Sequence, residues 1–137
     1  MNILEQIAAQ TRERIEAEKR QTPTEELIRQ IEATEQKKSK RSFYEALKKP
    51  GMSYICEVKK ASPSKGLIAS DFPYLDIARE YEAAGASAIS CLTEPFRFLG
   101  KDAYLQEIAA QVEIPVLRKD FTVDEYMIYQ ARLLGAS

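Results

Sequence analysis

At Ser53-Tyr54-Ile55-Cys56-Glu57-Val58-Lys59 the hydrophobic period of the chain changes from helical to extended, and the loop Lys60-Ala61-Ser62-Pro63-Ser64-Lys65-Gly66 follows at once. A strand that runs into a loop and then into a helix is the start of a β/α unit. The loop decides which kind. A nucleotide-binding sheet needs a glycine-rich turn here, GxGxxG or GxxxxGK[ST], and this loop fits neither. Strict alternation places Ile55, Glu57 and Lys59 on one face of the strand. A carboxylate and an ammonium at the end of an inward face are costly to bury unless paired. They mark either a structural ion pair or a site.

Downstream, the pattern repeats. A helix is predicted over 74–84 with Ile77, Ala78 and Tyr81 inward and Gly85 closing it. Ser87–Leu92 reads as a second strand, and 102–111 as a helix capped by Asp102 with Leu105, Ile108 and Ala109 inward. Ile114–Leu117 reads as a third strand, with Pro115 tolerated near its start. Thr122-Val123-Asp124-Glu125 forms a capping box for a helix ending near Leu134-Gly135. The strands are spaced at roughly the 30-residue length of a βαβ unit, which implies a parallel sheet. Polar or charged residues stand at every strand end: Glu57 and Lys59, Thr93 and Glu94, Lys119 and Asp120. A (β/α)₈ barrel collects its reactive groups at that edge.

Upstream lie three helices. Residues 2–19 align Ile3, Leu4, Ile7, Ala8, Thr11 and Ile15 on one face. Thr22-Pro23-Thr24-Glu25 reads as a capping box with Pro23 at the first helical position, followed by Leu27, Ile28 and Ile31. Ser42-Phe43-Tyr44-Glu45 opens a short helix stopped by Pro50-Gly51. The basic run Lys37, Lys38, Lys40 and Arg41 between them reads as a solvated linker. The expected organisation is a helical extension over 1–50 and three βα units over 51–137.

Composition narrows the chemistry. The 137 residues include 20 Lys and Arg against 21 Asp and Glu, so nothing global attracts nucleic acid or an anionic membrane. No apolar run approaches the roughly 18 residues of a membrane span, and no secretory leader pattern is present, so a cytoplasmic protein is expected. The chain has no histidine, which removes Ser-His-Asp and Cys-His catalysis from these residues and leaves acid–base work to Lys, Glu, Asp or Tyr. Cys56 and Cys91 form no CxxC pair and read as small buried hydrophobes; no metal site is expected.

Three segments resemble the indole-3-glycerol-phosphate synthase family: Glu57–Gly66 (EVKKASPSKG), Gly85–Glu94 (GASAISCLTE) with Phe98 and Gly100, and Leu117–Phe121 (LRKDF). Helices ahead of the barrel fit the same family. The resemblance implies ring closure of 1-(2-carboxyphenylamino)-1-deoxyribulose 5-phosphate to indole-3-glycerol phosphate, with loss of carbon dioxide and water, in tryptophan synthesis. It implies no cofactor, and a small phosphorylated molecule as the partner, with no nucleic acid or membrane. By the same resemblance Lys119 is the general acid, Lys59 contacts anionic groups of the substrate and shares proton transfer, and Glu57 holds the lysines. Ser62 is a substrate contact, and Phe98 and Phe121 surround the anthranilate ring. A lysine suits proton donation when neighbouring cations or desolvation bring its pKa toward neutrality. The division of labour between the two lysines stays open. Ala61 and Lys101 depart from the family pattern, where Lys and Ser are common, and bear on loop contacts.

A (β/α)₈ barrel takes about 250 residues, and the chain stops at Gly135-Ala136-Ser137, where a fourth strand is due. An incomplete barrel, inactive alone, is the expectation, with a monomeric full-length enzyme and self-association of the fragment through its open edges. Two alternatives remain: a half-barrel acting as a self-associating or complementing module, and another phosphate-binding barrel enzyme.

Overall fold

The computed structural model describes residues 1–34 and 42–137. The basic run at Lys37, Lys38, Lys40 and Arg41 lies outside the described residues. The chain divides into two compact units, Met1–Lys38 with Phe121–Leu133, and Ser39–Asp120 with Leu134–Ser137.

The first unit is helical. Helix α1 (Ile3–Gln21) opens on a full capping box, in which the Asn2 side chain accepts from the Glu5 amide and Glu5 accepts from the Asn2 amide. Ile7, Thr11 and Ile15 are its buried face, as the periodicity predicts, whereas Leu4 is exposed. Helix α2 (Thr24–Thr34) begins later than expected. The Pro23 carbonyl accepts from the Glu26 and Leu27 amides, so the proline stands at the cap, and Thr22 closes α1 instead of capping α2. The last helix of the chain, α6 (Tyr126–Leu134), also starts later than its Thr122 signal. Asp124 is the residue that accepts from the Tyr126 amide, at 2.8 Å, while its other oxygen takes Lys19 at 2.6 Å. That charge-assisted hydrogen bond raises the Lys19 pKa and lowers that of Asp124. Ile15, Leu27, Tyr126 and Met127 form the core of this unit.

The second unit carries the sheet. In chain order it contains α3 (Phe43–Leu47), β1 (Ile55–Val58), β2 (Ala61–Ser62), β3 (Gly66–Leu67), α4 (Tyr74–Ala83), β4 (Ala88–Leu92), α5 (Asp102–Gln111) and β5 (Val116–Lys119). Strands β1, β4 and β5 form one parallel sheet in that order, with Glu57 level with Ser90, Ser90 with Leu117, and Leu92 with Lys119. The fold is therefore mixed α/β with a parallel sheet, as the repeated strand–helix spacing predicts. All five residues of central β4 are buried, the mark of a strand covered on both faces. On one face Ile89, Cys91, Val58 and Val116 pack with Ala78 of α4 and Leu105, Ile108 and Ala109 of α5. Residues of opposite parity, including Glu57, Ser90 and Lys119, belong to the other face.

The second unit departs from expectation at strand boundaries, in a loop and at a helix cap. Strand β5 starts at Val116 rather than Ile114, because Pro115 has no amide to donate and contributes only its carbonyl, to Ile89. The segment after β1, read as plain loop, folds into a short antiparallel ladder between β2 and β3. Asp102 does not cap α5; Lys101 occupies the cap position, and the Asp102 carboxylate accepts from Arg118. Helix α4 ends as expected: Gly85 takes φ +96°, and the Gly85 and Ala86 amides return to the Glu82 and Tyr81 carbonyls.

Cys91 is a buried hydrophobe as read, whereas Cys56 is half-buried; both are free. Burial, aided by the nearby Asp102 and Glu57 charges, pushes the Cys91 thiol from 9.0 to about 12. The neutral thiol is thus the form that the fold favours. Its contribution to stability is fully present below the unfolded value of 9.0 and is lost as pH rises toward about 12. Urea unfolding between pH 8 and 12 is expected to show a loss that Cys91→Ala lacks. Parallel curves for the two proteins would contradict this.

Candidate active site

The carboxyl ends of β1 and β5 meet across β4. Alternation turns Glu57 and Lys59 to the same side, and the Lys59 Nζ lies 3.4 Å from the Glu57 Oε2. From two strands away, Lys119 brings its Nζ to 3.6 Å from the Glu57 Oε1. On the intervening strand β4 the residue level with Glu57 is the small Ser90. Its hydroxyl donates to the same Oε1 at 3.2 Å. Tyr81 donates its hydroxyl to the Glu57 carbonyl at 3.0 Å, which ties α4 to β1 at the level of the site; burial raises its own pKa.

The side chains of Glu57, Lys59 and Lys119 are 31%, 33% and 55% exposed, so the cluster is open to a ligand. One carboxylate between two ammonium groups leaves a net positive charge, which favours an anionic molecule. It also supplies two proton donors at fixed separation.

Other strand-end groups are occupied elsewhere. Thr93 donates to Asp120 at 2.6 Å and accepts from the Arg118 Nε at 3.0 Å, while Arg118 reaches Asp102 at 2.9 Å. The Arg118 and Asp120 side chains are 5% and 0% exposed. They belong to the helix-covered side, so Lys119, between them in sequence, is turned the other way. Glu94, read as a strand-end charge at the reactive edge, is buried and bonds its own loop.

Of the residues expected to form the site, the structure joins Glu57, Lys59 and Lys119. Ser62 is buried in the β2–β3 hairpin, where its hydroxyl accepts from the Lys65 amide at 3.2 Å and lies 3.5 Å from the Ser64 hydroxyl. Phe98 is half-buried on the loop after β4. Phe121 opens the segment that groups with the helical unit. The sequence does not mark Ser90 as a neighbour of the site, and it marks Glu94 only as a strand-end charge. A serine inside an apolar strand looks like filler, and only the register shows that Ser90 faces Glu57. Among the described residues no group of three or more His, Cys, Asp or Glu could hold a metal ion, and no helix is long and apolar enough to cross a membrane.

A parallel β/α sheet with a charged cluster at the carboxyl ends of its strands has the layout of an α/β enzyme scaffold. The family model described as indole-3-glycerol phosphate synthase matches residues 4–137, and the chain belongs to that family. It is 52% identical over 134 residues to the indole-3-glycerol phosphate synthase of Ruminiclostridium cellulolyticum, covering 98% of this chain and 51% of that protein. The protein of the same name from Endomicrobium trichonymphae is 54% identical over 134 residues, covering 98% of this chain and 52% of the relative. The chain thus spans about half the length of the curated relatives that it matches.

Proposed function

We propose that the protein carrying this chain is an indole-3-glycerol-phosphate synthase. It would convert 1-(2-carboxyphenylamino)-1-deoxyribulose 5-phosphate into indole-3-glycerol phosphate, carbon dioxide and water. In this reading residues 1–50 are the helical extension, and 51–137 the first three βα units, of a (β/α)₈ barrel in a cytoplasmic enzyme. The observation that carries the proposal is the Glu57 carboxylate with Lys59 and Lys119 at 3.4 and 3.6 Å.

Lys119 donates a proton to the substrate carbonyl as the aromatic carbon attacks it, which neutralises the oxygen as the ring closes. Lys59 pairs with the substrate's anionic groups and shares in proton transfer. Glu57, bonded by Ser90, keeps both ammonium groups in place, so that their orientation is set before substrate arrives. Ser62 contacts the substrate from the β2–β3 hairpin, and Phe98 walls the anthranilate ring against water. Support for these roles comes from the family match together with the geometry of the cluster.

The test is turnover. The purified full-length protein, given the substrate, is expected to release indole-3-glycerol phosphate at an enzymatic rate, within roughly 1–10³ s⁻¹. Product formation no faster than without protein would refute the proposal.

A further inference from the structure

Glu94, two residues past the end of β4, is 1% exposed. A buried carboxylate is costly unless hydrogen bonds offset its lost hydration. Here the bonds come from three successive amides: Phe96 donates to Oε1 at 2.8 Å, and Arg97 and Phe98 to Oε2 at 2.7 and 2.9 Å. The Gly100 amide then returns to the Glu94 carbonyl at 2.8 Å. To close that ring, Leu99 adopts φ +52°, a conformation uncommon for residues other than glycine. Gly100 lies so close to β4 that a Cβ would stand 2.3 Å from the Leu92 carbonyl oxygen. The loop is therefore wound around one side chain and pressed onto the strand end.

Phe98 is the third residue bonded by that carboxylate. We infer that Glu94 is a positioning residue for Phe98, fixing the backbone from which the ring is presented at the carboxyl end of β4. This rests on the proposed role of Phe98 as a wall of the substrate site. The carboxylate itself stays out of the chemistry, because both of its oxygens are engaged by the loop.

The experiment is a double-mutant cycle on kcat/KM in the full-length protein, with Phe98→Ala, Glu94→Ala and the pair combined. Each single variant is expected to lose about 10- to 100-fold, with the same division between kcat and KM, since a small displacement of a positioning group costs this much. The double variant is expected to be no worse than Phe98→Ala alone. Glu94→Gln, which keeps one acceptor oxygen, should fall between wild type and Glu94→Ala. Multiplied losses in the double variant would overturn the inference while leaving Phe98 in place. Full activity of Phe98→Ala would instead overturn the aromatic wall, and the inference with it. Should Glu94→Ala fail to fold, the cycle with Glu94→Gln gives the same decision.

Discussion

Lys119→Ala is expected to lower kcat of the full-length protein by on the order of 10³-fold, the range supplied by a positioned proton donor. The fold should be indifferent to the change. The Lys119 side chain is 55% exposed, and a pair as open as its contact with Glu57 contributes little to stability. The end of β5 stays anchored by the buried side chains of Arg118 and Asp120, which do not depend on the lysine. Unchanged unfolding with collapsed turnover would identify a chemical role. Lys59→Ala should act differently, raising KM more than it lowers kcat, because the proposed mechanism pairs Lys59 with the substrate's anionic groups. A mild effect at Lys119 with a severe one on kcat at Lys59 would transfer the donor role to Lys59.

Ile89→Ala is expected to destabilise the protein by about 2–5 kcal/mol, measured by urea unfolding. Ile89 is fully buried on the central strand β4, level with Cys56 on β1 and Val116 on β5. Its side chain packs with the α4 and α5 core. Removing it leaves a cavity between sheet and helices that close-packed neighbours only partly fill. A cost below about 1 kcal/mol would mean that the helices collapse onto the sheet, and that the face opposite the lysines is less tightly packed than its burial indicates.

Much of the sheet was legible because its signals are local. Ala88–Leu92 is apolar except for Ser90, and Ile77, Ala78, Tyr81, Leu105, Ile108 and Ala109 recur at helical spacing. Alternation alone placed Glu57 beside Lys59. The meeting of Glu57 with Lys119 is a different matter, because it depends on the register of three strands. Glu94 shows the limit most clearly. A charge at a strand end carries no mark of whether it turns toward a ligand or toward its own loop amides. Likewise, both Thr122 and Asp124 carry a cap signal, and the choice fell to the residue that also binds Lys19.

In the proposed mechanism Lys119, held by Glu57, faces the reacting carbonyl. A crystal structure of the full-length protein with an analogue whose carbonyl is reduced to an alcohol tests it most directly. The Lys119 Nζ should lie within about 2.6–3.2 Å of the alcohol oxygen, with Lys59 on an anionic group and the aromatic ring against Phe98. An analogue bound with its alcohol away from both lysines, or with Lys119 on the phosphate, would contradict the account.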